Sequence, residues 1–222
     1  MIIPATGVEL AADVRVPDGA VGVVLFAHGS GSSRRSPRNR YVAEVLNRHG
    51  LATVLVDLLT PTEDDLDAVT AELRFDIGLL AGRLGGLVER LPVTGALAGL
   101  PIGLFGASTG AAAALVAAAA HPAGIPAVVS RGGRPDLAGP ALARVRAATL
   151  LLVGGLDEEV LALNEQARRQ LAGPAELRVV PGASHLFEEP GTLDEVARQT
   201  ATWFTEHLPA GASGRFGGRG DG

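Results

Sequence analysis

The chain has 222 residues, 47% of them hydrophobic, and a formal charge of −5. That length suits one domain able to bury roughly 70% of the surface its unfolded chain exposes. Cysteine is absent, which excludes disulfides, thiolate metal sites and cysteine nucleophiles, and the acidic balance argues against a nucleic-acid partner, which selects a basic stripe. Met1 to Leu10 lack the basic start and apolar core of a secretory signal. The longest apolar run, Ala111 to Ala120, is too short to span a bilayer. A soluble, cytoplasmic protein without a membrane partner is therefore expected.

In chain order, Glu9 to Val16 alternates weakly and reads as an edge strand, whereas Val21 to Ala27 is a continuous apolar run of the kind buried on both faces of a sheet. Ser36-Pro37 is a helix start, cap followed by first-turn proline; Val42, Val45 and Leu46 form an apolar stripe, and Gly50 ends the helix. Leu51 to Leu59 is a second buried strand, followed by a loop at Thr60 to Asp65. Leu66 to Leu91 reads as one long helix with possible breaks at Gly78 or Gly85-Gly86.

Pro101 to Gly106 is a short apolar run of buried-strand length, and Thr109 to Ala120 is rich in strong helix formers. Between them stands Gly106-Ala107-Ser108-Thr109-Gly110. A serine on so tight a strand-to-helix turn is held with its hydroxyl above the sheet, and flanking glycines are needed because side chains there would meet neighbouring backbone. The alternative is that the glycines merely allow close packing and Ser108 is a turn residue.

Strands at Ala127 to Ser130, Thr149 to Val153 and Leu177 to Val180 continue the alternation, giving a doubly wound α/β pattern with a mostly parallel sheet and helices on both faces. The last helix shows a capping box, Thr192 with Glu195, and an apolar face of Val196, Trp203 and Phe204. One domain over residues 1 to 208 is expected. Pro209 to Gly222 reads as a disordered Gly-rich tail, in which Arg219-Gly220-Asp221 is attributed to chance.

In open α/β sheets, chemistry collects at the carboxyl ends of strands. Four groups fall there: the His28-Gly29-Ser30-Gly31 loop, Ser108, Asp157 and His185. The order Ser, Asp, His on this pattern resembles the α/β-hydrolase family over roughly residues 8 to 208. Within it, the chain is most similar to the dienelactone-hydrolase-like group, because Arg134 to Ala148 leaves room for one helix and no cap domain. The chain departs from dienelactone hydrolase in carrying Ser108 where that enzyme has a cysteine. The resemblance implies a Ser108 nucleophile, a His185 base and an Asp157 acid that orients the imidazole. It further implies oxyanion donors at Ser30 and Thr109, with Gly31 as substitute for Ser30.

Rival readings stay open at this point. Asp157 could be only the N-cap of the helix after it, and Asp57 and Asp136 also follow strands. His28, His49, His121 and His207 compete with His185, but sit in the glycine motif or at helix ends. Arg34, Arg131 and Arg134 are expected to border the pocket, where a guanidinium could bind a carboxylate; solvated loop arginines are the alternative. The expected activity is a serine hydrolase of small carboxylic esters or lactones, acting through an acyl-enzyme with no metal or organic cofactor. An amide or peptide hydrolase, an acyltransferase, or a non-catalytic binding protein of the same fold are the competing possibilities.

Overall fold

A computed structural model describes residues 1–93 and 95–209; the expected tail beyond Pro209 lies outside the described residues. Eight strands form one sheet in the order β1-β2-β4-β3-β5-β6-β7-β8. They are β1 (Ile2–Ala5), β2 (Val8–Arg15), β3 (Gly22–Ala27), β4 (Leu51–Val56), β5 (Ile102–Ala107), β6 (Ala127–Arg131), β7 (Ala148–Gly154) and β8 (Ala175–Val180). β1 and β2 run antiparallel, and all pairings from β4 through β8 are parallel. Every residue of β3, β4, β5, β6 and β7 is buried, the condition that makes parallel strands read as unbroken apolar runs.

Side chains alternate across the sheet and split the core in two. Val23, Leu25, Leu104 and Val128 pack with α3 (Ile77–Arg90) and α4 (Thr109–Ala120). Val24, Phe26, Phe105 and Val129 pack with α1 (Pro37–Arg48) and α6 (Thr192–His207). α6 anchors its face with Trp203 and Phe204, both essentially buried; truncating either to alanine would destabilise the fold by about 3–5 kcal/mol.

The structure departs from the sequence reading at five places. β2 is not an edge strand, because β1 covers it through a two-residue turn with Thr6 and Gly7 both at positive φ, as a tight hairpin of matching twist requires. The single helix expected from Leu66 to Leu91 is two: α2 (Pro61–Thr70) and α3, divided by Ala71 in the left-handed region and a short 3-10 turn at Leu73–Phe75. α2 starts inside the expected loop, because Thr60, Pro61 and Glu63 form a complete capping box. Arg134 to Ala148 holds a 3-10 segment (Pro135–Arg144) kinked at Gly139 before Pro140, not a regular helix. Finally, Thr192 and Glu195 make no capping box: Gly191 at φ 80° takes the cap position, Thr192 Oγ1 donates to the Glu189 carbonyl, and Glu195 pairs with Arg198.

Between β7 and β8 lies α5 (Glu158–Arg168), so each parallel strand ends at the same edge of the sheet with a loop leading to a helix or helical turn. Among the described residues no helix is long and apolar enough to cross a membrane.

Candidate active site

β5 delivers Ser108 to that edge. Ser108 adopts φ 49° and ψ −121°, a conformation that costs an L-residue about 1–3 kcal/mol and persists only when its surroundings enforce it. They do so through the backbone: the Ser108 N–H donates to the Arg131 carbonyl at 3.2 Å, and the Ser108 carbonyl accepts from the N–H groups of Ala111 and Arg134, both at 3.1 Å. The glycines are required by contact. A Cβ at Gly106 would stand 2.4 Å from Ala111 Cα, and one at Gly110 would stand 2.3 Å from the Ala27 carbonyl oxygen and 2.5 Å from that of His28. The strand–turn–helix order read from this segment is therefore the observed one, with the strand at Ile102–Ala107, one residue later than expected, and the helix at Thr109–Ala120.

Asp157 occupies the N-cap position of α5, but its side chain makes no capping bond. It accepts instead from His185 Nδ1 at 2.6 Å. The acceptor fixes the proton on Nδ1 and leaves Nε2 as the basic nitrogen. The two loops are locked together by Leu156 N–H to the Ala183 carbonyl at 2.9 Å, and by Gly154, where a Cβ would lie 2.4 Å from the same oxygen. Gly132, at φ 50°, lies under the histidine: a Cβ there would be 3.1 Å from the His185 carbonyl oxygen and 3.6 Å from His185 Cε1. Below the loop, buried Phe187 packs into the α1/α6 core, and Glu189 accepts the Ser184 N–H at 3.0 Å, which holds the Glu189 carboxyl below its usual range. Ser108 Oγ and His185 are not hydrogen-bonded to each other, a link that commonly tightens only with substrate in place.

The rivals are occupied elsewhere. Asp57 accepts the Arg34 N–H at 2.6 Å and a bond from Arg34 Nη1; Asp136 takes a two-pronged bond from Arg134 at 2.9 and 2.8 Å. His49 and His207 bond to carbonyls of their own helices, and His121 faces Glu89 at 3.7 Å. His28 is a brace: Nδ1 meets the Gly29 carbonyl at 3.0 Å, and Nε2 accepts the Leu58 N–H at 3.3 Å.

The remaining expected site residues have settings of their own. The Ser30 N–H is not free at the oxyanion position but donates to Thr109 Oγ1 at 2.9 Å, so the two expected donor residues are bonded to one another. Thr109 opens α4, where an N–H has no intrahelical acceptor. Nor do the three arginines share one setting. Arg34 pairs with Asp57 and Asp13 and Arg134 with Asp136, whereas Arg131 is 7% exposed and has no side-chain partner for Nε or Nη1.

A cavity of about 410 Å³ opens beside the loop after β3, lined by His28, Ser32, Arg34, Asp57, Leu59 and Pro61 among others. The start of α2 narrows it. Sequence reasoning missed the group that shapes this wall: buried Arg83 of α3 donates to the Leu58 carbonyl and to Glu63 Oε1. Arg83, aided by Thr60, holds the Glu63 carboxyl down to about 2. The Thr60-Pro61-Thr62-Glu63 cap was the available signal for the helix start; the Arg83 contact had none.

No family model matches the chain. It is 56% identical to a dienelactone hydrolase from Anabaena variabilis, covering 94% of this chain and 97% of that one with a TM-score of 0.92. Est1E from Butyrivibrio proteoclasticus shares the fold at 17% identity, covering 93% and 97% of the two chains with a TM-score of 0.72. Mycobacterium tuberculosis proteins provisionally named phosphoribosyl transferases are 55% identical over 206 residues, 93% of this chain. The chain spans about half the length of those relatives, 46%. With its mostly parallel eight-stranded sheet, serine elbow and near full-length likeness at 56% identity, the chain belongs to the α/β-hydrolase superfamily, in the dienelactone-hydrolase-like group.

Proposed function

We propose that this chain is a serine hydrolase of small carboxylic esters or lactones, with Ser108, His185 and Asp157 as its triad. The observation that carries the reading is the 2.6 Å Asp157–His185 bond at the same sheet edge as a serine forced to positive φ on the elbow. Ser108 Oγ attacks the carbonyl carbon while His185 Nε2 takes its proton; Asp157 stabilises the imidazolium. The tetrahedral oxyanion is met by the Thr109 N–H and by the Ser30 N–H turned away from Thr109 Oγ1. Collapse expels the alcohol, which takes the proton from His185, and water then attacks the acyl-enzyme by the same route. The proposal concerns this chain alone and not the longer mycobacterial relatives.

The test is intact-protein mass spectrometry after a fluorophosphonate probe, together with hydrolysis of p-nitrophenyl acetate. One adduct on wild type, none on Ser108→Ala, and a fall in kcat on the order of 10⁶-fold are expected. An unlabelled wild type without turnover would favour a binding protein. Acyl transfer or amide cleavage would appear in the products.

A further inference from the structure

β8 closes one end of the sheet, and among the described residues no strand lies on its outer edge. Thr149 N–H donates to the Pro174 carbonyl at 2.8 Å and Gly155 N–H to the Val180 carbonyl at 2.9 Å. Backbone groups of successive strand residues point to opposite sides, so the even-numbered residues from 174 to 180 bond β7, and Ala175, Leu177 and Val179 turn their N–H and C=O groups outward. The side chains of these three lie toward α5, where a groove of about 500 Å³ is lined by Glu165, Arg168, Leu177 and Val179 among others; Val179 is 43% exposed. Glu176 and Arg178 alternate to the α6 side. Arg178 lies over the Trp203 ring at 5.7 Å, and its Nε and Nη2 donate to Glu176 Oε2 at 3.0 and 2.6 Å. At the other end of the sheet β1 contains Pro4, a residue that blunts an edge. β8 contains no proline, and its pairing with β7 runs unbroken from Ala175 to Val180.

An unpaired edge with apolar side chains is a template for another strand, and here the sequence of the edge selects its partner. Glu176 and Arg178 stand on either side of Leu177. A second β8 laid antiparallel about a two-fold axis at Leu177 therefore sets each Glu176 opposite the other copy's Arg178. The backbone agrees with that register: Leu177 meets Leu177 as a hydrogen-bonded pair, Ala175 exchanges bonds with Val179, and the charged residues fall in the intervening pairs, where side chains come closest. An axis at Glu176 or at Arg178 would oppose like charges, and an axis at Ala175 or Val179 would shorten the ladder. We propose that this chain forms a symmetric dimer through β8–β8 pairing, joining two eight-stranded sheets into one continuous sheet. The dimer is independent of the hydrolase reading.

Sedimentation velocity and light scattering of the full chain over a concentration series are expected to show two associated chains that separate on dilution. Glu176→Arg sets cation against cation at both charged pairs and should weaken the dimer at least about tenfold. Glu176→Arg combined with Arg178→Glu reverses both charges and should restore it. The absence of cysteine permits a test of register. Cα atoms of a hydrogen-bonded antiparallel pair stand about 5.5 Å apart, within disulfide reach. Mild oxidation of Leu177→Cys should therefore give a covalent dimer that a reductant separates, whereas Val16→Cys, 36% exposed as the valine and at the β1 end of the sheet, should give none. The two charge variants lie outside the core and carry the test if Leu177→Cys does not fold. A wild type that remains a single chain at every concentration would overturn the proposal. So would a dimer that is indifferent to Glu176→Arg and does not crosslink through position 177.

Discussion

Replacing Asp157 by asparagine keeps the shape of the side chain and removes its charge. At 2.6 Å, a carboxylate and an imidazolium attract by about 6 kcal/mol at an effective dielectric of 20. The Asp157 side chain is 15% exposed and that of His185 39%, so solvent trims this to about 4–6 kcal/mol. At about 1.36 kcal/mol per decade, kcat should fall about 10³- to 10⁴-fold. The amide adds a second fault of the same sign: its N–H donates to Nδ1, moves the ring proton to Nε2 and removes the base that Ser108 needs. Steady-state hydrolysis of p-nitrophenyl acetate by Asp157→Asn, with Tm as a control for folding, should show the loss in kcat and little change in KM. A folded variant retaining a tenth or more of wild-type kcat would refute the assignment of Asp157.

Glu63 offers a pH test. Its carboxyl is held at about 2 against an ordinary 4.5, so its stabilisation is present in full above about pH 4.5 and is lost as pH falls toward 2. With the side chain 28% exposed, the contribution discounts to about 2–3 kcal/mol. Glu63→Gln should therefore lower Tm at pH 7 by about 4–12 °C, with the gap to wild type closing below about pH 3; a pH-independent gap would contradict the account. Gly110→Ala would drive a Cβ against the Ala27 and His28 carbonyls. It should cost about 1–3 kcal/mol in urea unfolding and, by displacing the oxyanion loop, about 100-fold in kcat/KM; wild-type kinetics would exclude the crowding argument.

Much of this molecule is readable locally. A strand buried on both faces must be apolar throughout, so β3, β4 and β5 announce themselves, and the elbow does so because its glycines answer contacts within a few residues, such as Gly106 on Ala111. β1 escaped because four residues carry too little period to register. The break between α2 and α3 escaped because neither glycine nor proline marks it: Ala71 takes the left-handed turn, and Asp67 closes it by accepting from Arg74 N–H and Nε. The Thr192 cap misled for the converse reason, since a suitable pair of residues was present but Gly191 took the cap one position earlier than the pattern required.

The sequence by itself determined the doubly wound architecture and the placing of Ser108, Asp157 and His185 at strand ends, because period, turn and chain order are properties of neighbouring residues. Only the tertiary structure decided which acid faces His185, that the Ser30 N–H meets Thr109, that Arg34 and Arg134 are neutralised, and that Arg131 is left buried with Nε and Nη1 unpartnered. Each of these is a choice among side chains far apart in the chain, made by which strand ends the sheet sets side by side.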